Sequence, residues 1–107
     1  MKVVKLSHPN YEYDVHSLVK AFYAEDQVTV ITPETKPEKL AELEPQVSLE
    51  IELAETGAKI RVGEEDFLWD AETENLADGY KNGLKRFLYR TLSKETGQTL
   101  PWGNLTG

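Results

Sequence analysis

No cysteine occurs in the 107-residue chain, so these residues alone form no disulfide, no thiolate nucleophile and no cysteine-ligated iron-sulfur cluster. Histidine is nearly as scarce. The two present, His8 and His16, flank an expected helix start, and nothing in the sequence supplies the third ligand that a zinc-type site needs. Basic residues are outnumbered, 12 Lys and Arg against 19 Asp and Glu, and the net charge of −7 disfavours a general grip on phosphate backbones. No run of about 18 apolar residues is present to span a bilayer, and the N-terminus lacks the charged start and apolar stretch of a secretory signal. Glycines stand singly, which leaves no phosphate loop, dinucleotide fingerprint or nucleophile elbow. These absences favour a soluble, cytoplasmic domain without a complete active site.

What is present is enough for one small core. The length suits a single domain, and 39% hydrophobic with 9% aromatic residues argues against wholesale disorder. Met1–Leu6 is β-branched and precedes a Ser-His-Pro-Asn interruption, which predicts a first strand. From Tyr11 to Ala24, Val15, Leu18, Val19 and Phe22 fall at i, i+3, i+4 and i+7 and predict a helix, with Asn10 as its N-cap and Glu12 and Asp14 in its first turn. Gln27–Thr32 has strand composition. Pro33–Pro45 reads as an exposed connection with room for one helical turn around Glu38–Leu43. Val47, Leu49, Ile51 and Leu53 alternate with Ser48, Glu50 and Glu52, the pattern of a strand with one buried face. Ile60 and Val62 return from a turn at Glu55–Gly57 as a hairpin that sets Lys59 and Arg61 opposite Glu50 and Glu52. Phe67–Trp69 has the makings of a short extra strand. The longest helix is expected over residues 73–96, with Leu76, Tyr80, Leu84, Phe87, Leu88, Thr91 and Leu92 in one arc; Gly97 ends it and Pro101 prevents its resumption.

The expected architecture is α+β: a two-layer sandwich in the order strand, helix, strand, strand, strand, helix, with the helices on one face of a small sheet. The first strand-helix-strand unit makes a right-handed crossover, and the central hairpin is antiparallel. Whether the whole sheet is mixed stays open at this point.

Charge is divided unevenly. Residues 34–78 carry 4 basic and 14 acidic side chains, and residues 79–107 carry 5 basic and 1 acidic. On a helical wheel Lys81, Lys85, Arg86, Arg90 and Lys94 fall largely opposite the apolar arc, which predicts a basic outer face on the last helix. Such a face is either a solvated surface or a docking surface for an acidic partner or anionic ligand. The last eight residues, Leu-Pro-Trp-Gly-Asn-Leu-Thr-Gly, include Trp102, a large aromatic that needs something to pack against.

Tyr80-Lys81-Asn82, Leu84-Lys85-Arg86-Phe87-Leu88-Tyr89, Leu92-Ser93, Thr96-Gly97 and Leu100-Pro101-Trp102-Gly103-Asn104-Leu105-Thr106-Gly107 together resemble the region preceding the catalytic domain of HemZ-type coproporphyrinogen dehydrogenases. These are radical S-adenosylmethionine proteins of the oxygen-independent coproporphyrinogen III oxidase group. His8-Pro9, Tyr11 and Asp14 resemble the family's N-terminus more weakly. In the family the stretch runs on into Ile-Arg-Pro-Thr-Lys and, well downstream, a three-cysteine motif that binds a [4Fe-4S] cluster. The resemblance implies an N-terminal accessory domain over residues 1–99 and the start of a linker over residues 100–107. It further implies an intramolecular partner, the radical S-adenosylmethionine domain, which would hold the cluster and S-adenosylmethionine and carry out the oxidative decarboxylation of porphyrinogen propionates. No catalytic, cofactor-binding or metal residue carries over to this chain. Lys85, Arg86, Arg90 and Trp102 are the residues expected at or near the interdomain interface. The alternative is a free-standing module that binds an anionic ligand or RNA through the basic helix face.

Overall fold

The computed structural model describes residues 1–70 and 79–101. Its elements run β1 (Lys2–Leu6), α1 (Glu12–Phe22), β2 (Val28–Ile31), α2 (Pro37–Leu43), a 3-10 turn at Glu44–Gln46, β3 (Val47–Ala54), β4 (Gly57–Val62), β5 (Glu65–Asp70) and α3 (Gly79–Thr96). The strands form one sheet in the order β2-β1-β3-β4-β5. β2, β1 and β3 are parallel, while β3, β4 and β5 are antiparallel. The fold is therefore α+β with a mixed sheet. The sheet has one strand more than the expected order, because the stretch around Phe67–Trp69 extends to six residues and pairs with all of β4. Residues 73–78 of the expected long helix, Leu76 included, lie outside the described residues.

Burial follows the periodicities. Val15, Leu18, Val19 and Phe22 of α1 and Leu84, Phe87, Leu88 and Leu92 of α3 form one cluster with Val4, Leu6, Leu49, Ile51, Ile60 and Trp69 from the sheet. α1 and α3 thus share one sheet face, as the pattern requires. α2 lies on the other face, where Leu43 packs with Val3 and Ile31 in a second, smaller cluster.

That second cluster corrects the reading of β3. Val3 pairs with Val47, but its neighbour Val4 pairs with Leu49, so Ser48 is an extra residue at a register shift. A bulge of this kind reverses the side-chain alternation. Val47 consequently joins the α2 face, against Val3 and Ile31, while Leu49, Ile51 and Leu53 keep the α1/α3 face.

The start of α1 also departs from the pattern. Asn10 does not cap it; the cap residue is Tyr11, held left-handed at φ 67° with no side-chain cap bond. The Asn10 N–H instead donates to His8 Nδ1 at 3.1 Å. Tyr11 spends its side chain on packing, with its ring 5.7 Å from that of Tyr80. Tyr80 stands 5.1 Å from Trp69, and Trp69 stands 6.0 Å from Phe87. This aromatic chain joins the start of α1, the start of α3 and β5 at separations where ring pairs attract. The Tyr80 hydroxyl donates to the Gly57 carbonyl at 2.7 Å, and burial pushes its pKa above the ordinary 10.0.

Beyond α2, the second sheet face carries a row of alternating charge among the described residues. Lys5 pairs with Glu50, Glu50 with Arg61, and Arg61 with Asp66 in register across four strands. Arg61 grips Asp66 through two bonds of 2.7 and 3.1 Å, Lys59 meets Glu52 at 3.5 Å, and Lys5 reaches Glu44. The expected hairpin pairs are therefore in register, though Arg61 spends its guanidinium on β5.

The sheet's packing and its charge row can each be tested. A Cβ on Gly57 would lie 2.2 Å from the Trp69 carbonyl oxygen, so Gly57→Ala forces β4 and β5 apart; urea unfolding is expected to show a loss of about 1–3 kcal/mol, and an unchanged midpoint contradicts this packing. The Arg61 hydrogen bonds hold the Asp66 carboxyl below its ordinary 3.8. Because the folded value is depressed, its stabilisation is present at neutral pH and is lost as pH falls below 3.8 through the folded value. Asp66→Asn is expected to be less stable than the parent at pH 7, with the gap closing in acid; a gap independent of pH contradicts it.

Candidate docking surface

α3 presents the residues that the sequence marks for docking, but their surroundings differ from a solvated basic stripe. Lys85 has a side chain only 12% exposed and lies 3.9 Å from Asp14 on α1, with Lys81 at 3.8 Å from the same carboxylate. These two lysines belong to the seam between the helices. Lys94 turns the other way, 3.8 Å from Glu65 of β5 and 5.3 Å above the Phe67 ring. Arg86 is half-buried and Arg90 exposed. Asn82, Arg86, Tyr89 and Ser93, which the wheel puts furthest from the core, are all half-buried rather than exposed. Trp102 lies outside the described residues.

The segment beyond α3 is the part of this surface that sequence patterning does not disclose. Gly97, left-handed at φ 71°, donates its N–H to the Ser93 carbonyl at 2.9 Å, the αL termination that glycine permits. From there the chain turns onto the domain's own surface. Gln98 Nε2 donates to the Phe22 carbonyl at 3.2 Å, and the Tyr89 hydroxyl donates to the Leu100 carbonyl at 2.5 Å. The Leu100 side chain packs against the main cluster, next to the edge-on pair of Phe22 and Tyr89, 5.5 Å apart. Leu100, the first residue of the expected linker, is therefore attached to the domain. No local pattern signals a bond between residues 76 positions apart in sequence, as Gln98 and Phe22 are.

The strand order puts the carboxyl ends of β1 and β3 side by side, where ligands commonly bind open parallel sheets. An open groove of about 400 Å³ lies there, lined by His8, Asn10, Tyr11, Glu55 and Tyr80 among others. His8 accepts from a backbone N–H, and His16 Nε2 lies 3.1 Å from the Val28 carbonyl on the other side of α1, so each histidine has a backbone partner of its own. Among the described residues no three His, Asp or Glu side chains converge to hold a metal. No helix among them is long and apolar enough to cross a membrane.

Comparison with models of known families, with curated proteins and with solved structures found no match.

The seam predicts a measurable coupling. Asp14→Asn is expected to cost about 1 kcal/mol, more than the few tenths typical of exposed pairs and less than the loss of a fully buried partner. Pairing it with Lys85→Met in a double-mutant cycle should return a coupling of that order. Strict additivity contradicts the seam.

Proposed function

We propose that this chain is a non-catalytic N-terminal accessory domain of an oxidoreductase of the HemZ type, whose work is to dock and orient the catalytic domain next in the chain. The observation that carries this reading is where the resembling residues fall. Leu84–Tyr89, Leu92-Ser93, Thr96-Gly97 and Leu100-Pro101 occupy one continuous unit, the body of α3 and the segment leaving it.

The cluster and S-adenosylmethionine belong, in this reading, to the catalytic domain. The donor set here does not fit them: the chain has no cysteine. No step of the oxidative decarboxylation is therefore assigned to residues 1–107. Arg86, Arg90 and Trp102 stay assigned to the interdomain side, and Lys85 serves it indirectly by holding α3 against α1 through Asp14. A cytoplasmic location belongs to the same proposal.

The coding sequence beyond Gly107 is expected to continue into Ile-Arg-Pro-Thr-Lys and, further on, a Cys-x-x-x-Cys-x-x-Cys spacing. A stop codon directly after Gly107, or a long continuation without the three cysteines, overturns the proposal. Titration of the 107-residue chain with coproporphyrin and with single-stranded RNA across a salt series is expected to show no salt-dependent binding. Binding that weakens steeply with salt would instead establish an anion-binding module.

A further inference from the structure

The sheet has two edge strands, β2 and β5, and an edge strand offers its unpaired backbone groups to any other strand. β5 carries acids at both ends. Residues 28–32, Val-Thr-Val-Ile-Thr, contain no charge, proline or glycine, the composition of a strand that readily adds to its own kind. The ladder fixes which of their groups are on offer. Lys2 pairs with Val28 in parallel register, and the Lys2 N–H donates to the Gln27 carbonyl at 2.8 Å. Backbone groups alternate sides along a strand, so those of Gln27, Thr29 and Ile31 face β1 while those of Val28, Val30 and Thr32 face outward. At both ends of this outward row the chain's own residues intervene. His16, reaching across from α1, donates Nε2–H to the Val28 carbonyl at 3.1 Å. Thr35 takes both groups of Thr32: the Thr32 N–H donates to Thr35 Oγ1 at 2.8 Å, and the Thr35 N–H donates to the Thr32 carbonyl at 3.0 Å. Between them the Val30 N–H and carbonyl have no partner among the described residues. Val30 lines an open groove of about 640 Å³ together with Pro9, His16 and Tyr13, and Tyr13 is 81% exposed.

This outward row is complementary to itself. Two copies of β2 running antiparallel about a twofold axis at Val30 would set Val30 against Val30 and Val28 against Thr32, each pair exchanging N–H and carbonyl bonds. The Val28 carbonyl and both groups of Thr32, which that pairing needs, are the groups that His16 and Thr35 occupy. We propose that the outer edge of β2 is a pairing surface for β2 of a second copy of this chain, and that His16 and Thr35 are the plugs that hold it closed and keep the chain monomeric. Only Val30 is left open, and a single residue gives an incoming strand too few backbone bonds to offset the entropy of ordering it. β2 is thus guarded by occupied backbone groups where β5 is guarded by charge. The plugs give His16 a role that needs neither a metal nor an acid partner, and they do not rest on the accessory-domain reading.

Amide exchange and sedimentation velocity on the 107-residue chain test this together. In the parent, the Val30 amide is expected to exchange about a hundredfold faster than those of Thr29 and Ile31, which face β1, and the chain is expected to sediment as a monomer. A Val30 amide as slow as its neighbours, or a parent dimer, overturns the plugs. His16→Ala combined with Thr35→Pro removes both plugs, since proline lacks the N–H as well as the hydroxyl. The doubly substituted chain is expected to double its sedimenting mass as concentration rises, with the Val30 amide slowing about tenfold in the dimer. Adding Thr29→Lys, a charge on the same edge strand, is expected to return it to a monomer. A double variant that keeps its circular dichroism and stays monomeric overturns the proposal, and so does a dimer in which the Val30 amide still exchanges fast. The exchange pattern of the parent needs no substitution, so it decides even where the double variant fails to fold.

Discussion

Everything else in the molecule depends on α1 and α3 lying side by side on one face of the sheet. Among the described residues, sixteen buried side chains meet in that cluster, and hydrophobic burial of this kind is the main favourable term in folding so small a domain. The pairing has secondary effects that reach outward. It sets Asp14 between Lys81 and Lys85, brings Phe22 under Tyr89, and puts the end of α3 within reach of the end of α1. Without that last proximity Gln98 has no Phe22 carbonyl to bind, and the segment after α3 would lose its tie to α1.

The sheet's two faces serve different physical ends. One is apolar and closed by helices. The other is covered among the described residues by α2 at its parallel side, and across β1, β3, β4 and β5 it is a lattice of opposed charges. Each exposed pair there is worth little by itself, but the row keeps an uncovered face wet and specifies register. Acidic residues at both ends of β5, Glu65, Asp66 and Asp70, mark the open edge against pairing with another strand. This gives Glu50, Glu52, Glu65, Asp66 and Asp70 of the acidic middle a structural role.

The parts of this fold that could be read from the sequence are those governed by simple periodicity. The apolar arcs of α1 and α3, the alternation of Leu49, Ile51 and Leu53, and a hairpin that sets Lys59 and Arg61 opposite Glu50 and Glu52 all follow from spacing; the individual pairs, Glu50 with Arg61 and Glu52 with Lys59, do not. Val47 did not, because one inserted residue at Ser48 reverses the alternation and no composition signal accompanies a bulge. β5 was only half visible, since its two inward aromatics, Phe67 and Trp69, are surrounded by acids that read as loop. Asn10 looked like a cap by residue type, yet tertiary packing of the Tyr11 ring on Tyr80 decided the helix start. The candidate surface was legible as a set of cations on one helix, but not as a seam: Lys85 faces inward because Asp14 stands across from it, and the two are far apart in sequence. The bonds that hold Gln98 and Leu100 are not legible in the sequence, because they join side chains and backbone carbonyls 76 and 11 positions apart.

These features converge on a closed core, a face of paired charges, and one end where the segment after α3 is bonded to the end of α1. Residual dipolar couplings measured on the 107-residue chain test this most directly, because they report whether α1, α3 and the segment Gly97–Leu100 tumble as one body. The account requires one alignment tensor for all three. A tensor of clearly smaller magnitude for residues 97–100 would contradict it.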